Sequence, residues 1–197
     1  MFPLPPVILR LLLANLAGFA LQWIAGDAGW LTFALWPIQM PHDAEFHFAP
    51  WQLVTYSFLH GSVPHLLFNM LGLATFGAPL ERFGGTRRML MLYFASVITA
   101  AITQLVVPPL FHAAPAPTIG ASGGVFGLLL AYAVLFPRSR VLLLIPPIPM
   151  PAWLFALLYT VVELYLGVTG TQSGVAHFAH LGGMVGAAVV LWRWRRR

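Results

Sequence analysis

The sequence predicts an all-α polytopic membrane protein, with six transmembrane helices in a single domain and both termini in the cytoplasm. Three observations carry that prediction. Of 197 residues, 59% are apolar and 8% charged, and the mean hydropathy is +0.83. A soluble domain of this size could not hide so much apolar surface. Apolar runs of near-membrane length recur at 7–24, 64–80, 86–107, 122–136, 151–167 and 173–192. The net charge of +5 comes from ten basic residues, all arginine, gathered at alternate ends of those runs.

The start, MFPLPPVILR, lacks the basic lead and small-residue cleavage site of a removable signal, so the first segment is expected to stay as a helix. The long loop at 25–63 carries Asp27, His42, Asp43, Glu45 and His47 and no arginine. It includes WQLVTYSFLH, an aromatic-rich piece suited to lying in the interface. The second segment opens on Pro64 and closes at Glu81 and Arg82, which read as an interfacial ion pair. ERFGGTRR separates it from the third, and the Pro-rich piece at 108–117 ends that one. The fourth opens on Ser122 and stops before Arg138 and Arg140; a turn, PRSRVLLLIPPIP, leads to the fifth. VTGTQ then connects to the sixth, which ends in WRWRRR, an anchor whose tryptophans suit the lipid headgroups. The loops after the first, third and fifth segments have no Lys or Arg, so the positive-inside rule places both ends in the cytoplasm.

Composition also excludes. Without cysteine there are no disulfides, thiolate metal sites or cysteine nucleophiles. No basic stripe marks a soluble face, so nucleic acid is not a partner. Nothing in the chain calls for a cofactor.

Polar groups within apolar helices are expensive, and each needs an account. Counting about 1.5 Å per residue from the nearest cytoplasmic arginine puts Ser122 roughly 24 Å up, His180 and Asn69 roughly 20 Å, and His65 roughly 25 Å. All four share one level below the outer surface of a core about 30 Å thick. A serine at a helix N-terminus beside a histidine is equipped for acyl transfer: Ser122 as nucleophile, His180 as general base. The Ser122 backbone N–H, at the positive end of the helix dipole, and the side chains of His65 and Asn69, one turn apart on one face, can supply donors to an oxyanion. The glycines around Ser122, with Gly127 and Ala131, and Gly182, Gly183 and Gly186 after His180, allow two helices to pack closely.

Three motifs carry a resemblance: HGSVPHLLFNML at 60–71, GASGGVFGL at 120–128 and AHLGGMVG at 179–186. Together, in this order, they resemble the rhomboid intramembrane serine proteases, over roughly residue 51 to the end of the sixth segment. The resemblance implies a minimal six-helix, rhomboid-like bundle without a further cytosolic domain or seventh helix. It implies a dyad of Ser122 and His180 without a carboxylate, and an oxyanion pocket from His65, Asn69 and the Ser122 backbone. Gly120 and Gly123 support the serine, and Phe126 matches the aromatic position that stacks on the catalytic imidazole. Substrates would be single-span membrane proteins, entering between the second and fifth helices and cut in or near their membrane helix by water from an outward-open cavity. One departure shows: many members have Trp–Arg in the first loop, whereas here Gln52 follows Trp51, which leaves the anchoring of that loop open.

Other readings compete. Ser122 could be only a helix cap, His65 and Asn69 only helix–helix glue. His177 could line a water cavity or, with His180, bind metal; no metal is expected. His60 could steady the first loop through backbone hydrogen bonds. Glu163 could be structural, a gate element or a neutral carboxylic acid. At the level of function, the alternative is a catalytically silent rhomboid-like protein that binds membrane helices. A transporter fits less well, because the cytoplasmic halves (LGLATFGAPL, GLLLAYAVLF, MVGAAVVLW) are almost wholly apolar. Short loops and the minimal form suggest a prokaryotic plasma membrane.

Overall fold

The computed structural model describes residues 3–111, 114–143, 146–171 and 174–196. Residues 112–113 of the Pro-rich loop, 172–173 at the expected start of the sixth segment, Arg197 and the side chain of Asp27 lie outside that description.

The chain is mostly helical. Helix α1 runs Pro6–Leu31, with proline in its first turn, where no N–H is needed, and Gly26 at φ 67° breaking it near the expected end. A short α2 (Gln52–Thr55) and a 3-10 turn (Tyr56–Phe58) follow in the first loop. Helix α3 (Val63–Gly72) opens on Ser62, whose side chain accepts from the His65 N–H, and continues through a π turn (Leu73–Gly77) into α4 (Ala78–Leu110). Gly85, at φ 76°, interrupts α4 at the expected junction of the second and third segments. Helix α5 spans Ser122–Leu135, α6 Ala152–Thr169 and α7 His177–Arg195. Gly170, left-handed at φ 65°, closes α6 with its N–H on the Leu166 carbonyl.

Among the described residues, three stretches are long and apolar enough to cross a membrane by length and composition: Pro6–Gly26, Val63–Leu110 and Ala152–Thr169. The outer faces agree with a lipid environment. Leu13, Leu16, Trp23 and Ile24 on α1, and Leu157, Val161, Leu164 and Tyr165 on α6, are exposed, more apolar surface than a soluble monomer shows. The core lies where α4, α5 and α7 pack together, around Tyr93, Val97, Ala100, Leu128, Ala131 and Ala187. Small residues set that packing. A Cβ on Gly183 would run into the Gly123 backbone on α5, and one on Gly182 or Gly186 would strike Thr103 or Thr99 on α4. Of the three glycines after His180, only Gly183 thus serves the α5 contact.

Four expectations change. The turn after the fourth segment holds an antiparallel hairpin, β1 (Arg140–Leu143) with β2 (Ile148–Pro151), so the architecture is not purely α. Pro149 and Pro151 are tolerated because each strand has one neighbour only. WQLVTYSFLH does not simply lie in an interface: Tyr56 is 1% exposed, and its hydroxyl donates to the Val97 carbonyl at 2.9 Å. Gln52 anchors the first loop after all. Its amide donates to the Thr32 and His47 carbonyls, each at 3.1 Å, and accepts from the Trp36 N–H at 3.1 Å, about 1 kcal/mol per bond in a buried setting. Glu81 is buried, and its two oxygens accept from the N–H groups of Val7 and Ile8, both at 2.9 Å. It caps the positive end of α1 rather than pairing with Arg82, which donates to the Pro3 carbonyl.

Candidate active site

The approach to Ser122 is held by backbone bonds from the first loop. Leu35 and Thr118 exchange both of their hydrogen bonds, at 3.0 and 2.9 Å, and the Gly120 N–H donates to the Tyr56 carbonyl at 2.9 Å. Gly120 has φ 125°, open to glycine alone. A Cβ there would stand 2.8 Å from His65 Nε2 and 3.7 Å from Ser122 Oγ, so this one Cα lies between imidazole and hydroxyl. At Gly123 a Cβ would meet Ala100 and the Tyr56 hydroxyl, which makes that glycine a packing requirement of α4 against α5.

Ser122 is the first residue of α5, but the cap position is Ala121 and no side chain caps the helix. The hydroxyl points elsewhere: Oγ lies 2.7 Å from His180 Nε2. His180 stands in the first turn of α7, buried, with the Phe126 ring stacked on it at 4.2 Å and 3° between planes. Tyr159 of α6 meets Phe126 edge-on at 5.9 Å. The imidazole is thus clamped by an aromatic wall, which fixes the direction of Nε2.

His65 lies on α3, where its Nδ1 accepts from the Gly61 N–H at 3.3 Å. A neutral imidazole that accepts at Nδ1 carries its proton on Nε2, the nitrogen facing Gly120. Asn69, one turn on and buried, donates one amide hydrogen to the His65 carbonyl at 2.9 Å and keeps the other. His60 contributes its backbone to the surrounding loop: its N–H donates to Gln22 Oε1 at 2.8 Å and its carbonyl accepts from Gln22 Nε2 at 3.2 Å. Its ring packs edge-on against His65 at 5.1 Å. Gln22, a polar residue in an apolar helix, is the partner that the sequence reading passed over.

The site holds a carboxylate that the resemblance did not imply. Glu163 of α6 is buried, with Oε2 2.9 Å from His180 Nδ1 and 2.7 Å from His177 Nδ1. A carboxylate oxygen has lone pairs enough to accept from both rings at once. His177 faces this carboxylate at its Nδ1 rather than simply lining a cavity. Among the described residues these three also form a trio whose ligand atoms lie within 4.8 Å of one another, close enough to hold a metal ion. A metal on His180 Nδ1 would leave the ring proton on Nε2, where the hydroxyl needs a lone pair.

Comparison with known proteins bears on the family. The family model described as a rhomboid domain matches residues 47–197. Rhomboid protein 1, mitochondrial, of Saccharomyces cerevisiae is 36% identical over 140 residues, covering 70% of this chain and 39% of that protein. Rhomboid protease GluP of Bacillus subtilis is 33% identical over 138 residues, 69% of this chain and 24% of its own length. Rhomboid protease GlpG of Yersinia pestis is 26% identical over 195 residues, 96% of this chain and 63% of the relative. The chain therefore spans between about a quarter and three-fifths of the length of these relatives. With motifs, apolar helices and a matching domain over most of its length, the chain is an integral membrane protein and belongs to the rhomboid family.

Proposed function

We propose that this protein is an intramembrane serine endopeptidase that hydrolyses a peptide bond in or near the transmembrane helix of single-span membrane proteins. The observation that carries the reading is the 2.7 Å contact between Ser122 Oγ and His180 Nε2, side chains 58 residues apart on different helices. Two of the relatives described above bear the name protease. Ser122 attacks the substrate carbonyl as His180 takes its proton, and the developing oxyanion is met by the Ser122 N–H, His65 Nε2–H and the free Asn69 amide hydrogen. His180 then returns the proton to the leaving amine, and water resolves the acyl-enzyme by the same route in reverse order.

In this reading residues 1–197 form one domain with six spans. Gly85 divides Val63–Leu110 into two of them, while α5 and α7 supply two more beside α1 and α6. Both termini lie in the cytoplasm, and the membrane is a prokaryotic plasma membrane. The test is cleavage of a reporter transmembrane substrate by the purified protein in liposomes. Ser122→Ala and His180→Ala each lower the rate by at least about 10³-fold. Equal cleavage by wild type and either variant would overturn the assignment. No cleavage by wild type, with retained binding of the substrate helix, would favour the catalytically silent alternative.

A further inference from the structure

We propose that Glu163 is a positioning residue for the general base, and that Ser122, His180, Glu163 and His177 form one hydrogen-bonded chain. The proposal rests on the reading of Ser122 and His180 as nucleophile and base.

The argument begins with the proton count of an imidazole. For His180 Nε2 to accept the Ser122 proton, the single ring proton of the neutral form must sit on Nδ1. In a buried setting that N–H needs an acceptor, or its desolvation is uncompensated. Glu163 Oε2, at 2.9 Å, is that acceptor. It reaches in from α6, while the histidine stands on α7 and the serine on α5, so three helices must be in register for the chain to close.

The step balances without a further reactant. As Ser122 Oγ bonds to the carbonyl carbon, its proton passes to His180 Nε2 and the carbonyl π pair moves to the oxygen. The Nδ1 proton stays on His180, which is now cationic, and Glu163 remains a carboxylate beside it. When the scissile C–N bond breaks, the Nε2 proton leaves with the amine. Glu163 thus fixes the tautomer before the attack and faces the imidazolium during it.

His177 has a distinct part. One turn before His180 on α7, it holds the same oxygen at 2.7 Å, within the range of charge-assisted hydrogen bonds. A tether between α6 and α7 would need only one of these bonds. The bond to the nitrogen opposite Ser122 is the one that sets the base, and the His177 bond keeps the carboxylate aimed at it. His177 Nε2 has no hydrogen-bond partner among the described residues, so the chain ends there.

The experiment uses the full chain in detergent, a reporter transmembrane substrate and a small fluorophosphonate. Glu163→Gln keeps the shape and an acceptor oxygen but removes the charge. It lowers kcat by on the order of 10²-fold with KM within about twofold, and slows fluorophosphonate labelling of Ser122 in parallel. Glu163→Asp restores part of the loss, and His177→Gln costs on the order of tenfold, less than Glu163→Gln. Wild-type kcat and labelling in Glu163→Gln, with Ser122→Ala inactive, overturn the role of Glu163 alone. Activity that survives Ser122→Ala overturns the dyad reading beneath it. Should Glu163→Gln fail to fold, the ¹⁵N shifts of His180 in the wild-type protein decide: a proton on Nδ1 supports the proposal, and one on Nε2 overturns it.

Discussion

His60 shows how much a single residue can carry outside the chemistry. The resemblance motif begins at this histidine, yet its backbone, not its ring, binds Gln22. Burial, and then the neighbouring His65, push the His60 imidazole down from its ordinary value of 6.5 to about 4. The folded protein therefore keeps the ring neutral at pH values where the unfolded chain has already taken up a proton. That contribution to stability is fully present above about pH 6.5 and is lost as pH falls towards about 4. Thermal unfolding in detergent is expected to show a drop in Tm across that window, and His60→Leu to show a shallower one. An equal slope in the variant would remove His60 as its source. Residue identities were legible at this scale because Ser122, His65, Asn69 and His180 are costly in apolar helices and so announce themselves. Gln22, Gln52 and Glu81 were equally costly, but their partners are backbone groups 5 to 74 residues away, and spacing along a chain carries no sign of such partners.

Among the elements, α5 and α7 decide whether serine and histidine meet. Their approach is set by backbone against backbone: a Cβ on Gly183 would overlap the Gly123 carbonyl oxygen, and backbone cannot swing aside as a side chain can. Gly183→Ala is expected to destabilise the fold by about 1–3 kcal/mol, and by forcing the helices apart to slow cleavage more than it weakens substrate binding. Chemical unfolding in detergent and a kcat-against-KM comparison check this. A neutral substitution would mean that α7 can shift without disturbing the site. The glycine stripe predicted close packing correctly, but assigned all of it to α5. Two of the three glycines face α4 instead, because their positions point to another side of the helix. The hairpin between α5 and α6 was missed for a related reason. VLLLI and PPIPM read as a proline-punctuated turn, and strand pairing is a relation between the two pieces rather than a property of either.

At the scale of the whole molecule, the arginine pattern and the fold make one joint prediction. Arg82, Arg87 and Arg88 flank the Gly85 break in α4, Arg138 and Arg140 follow the C-terminal end of α5, and Arg193 and Arg195 lie in the last turn of α7, whereas Ser122 and His180 stand in the first turns of α5 and α7. Reporters fused to either terminus are expected to be active in the cytoplasm, and one inserted at Asp43–Glu45 to be active outside. A reporter result placing the termini on opposite sides would reduce the number of spans to an odd one and break the shared level of the site residues. The first loop belongs to this scale too. Gln52 ties it to itself, Tyr56 sinks into the core, and the bonds at Leu35 and Tyr56 lead the chain into Gly120, so the entry to Ser122 is built partly by a segment read from sequence as peripheral.

By itself the sequence determined the membrane setting, the helical class and the motifs that resemble rhomboids, and it led to the expectation that Ser122, His65, Asn69 and His180 share one level. Those follow from hydropathy, helix rise and the cost of polar groups in lipid, all of which act locally along the chain. Only the tertiary structure decided that Glu163 joins His180, that Gln52 replaces the expected loop anchor, and that Glu81 caps α1. Each of these is a hydrogen bond between distant segments. Its existence depends on how the helices rotate against one another, and that rotation is settled by the small residues packed between them.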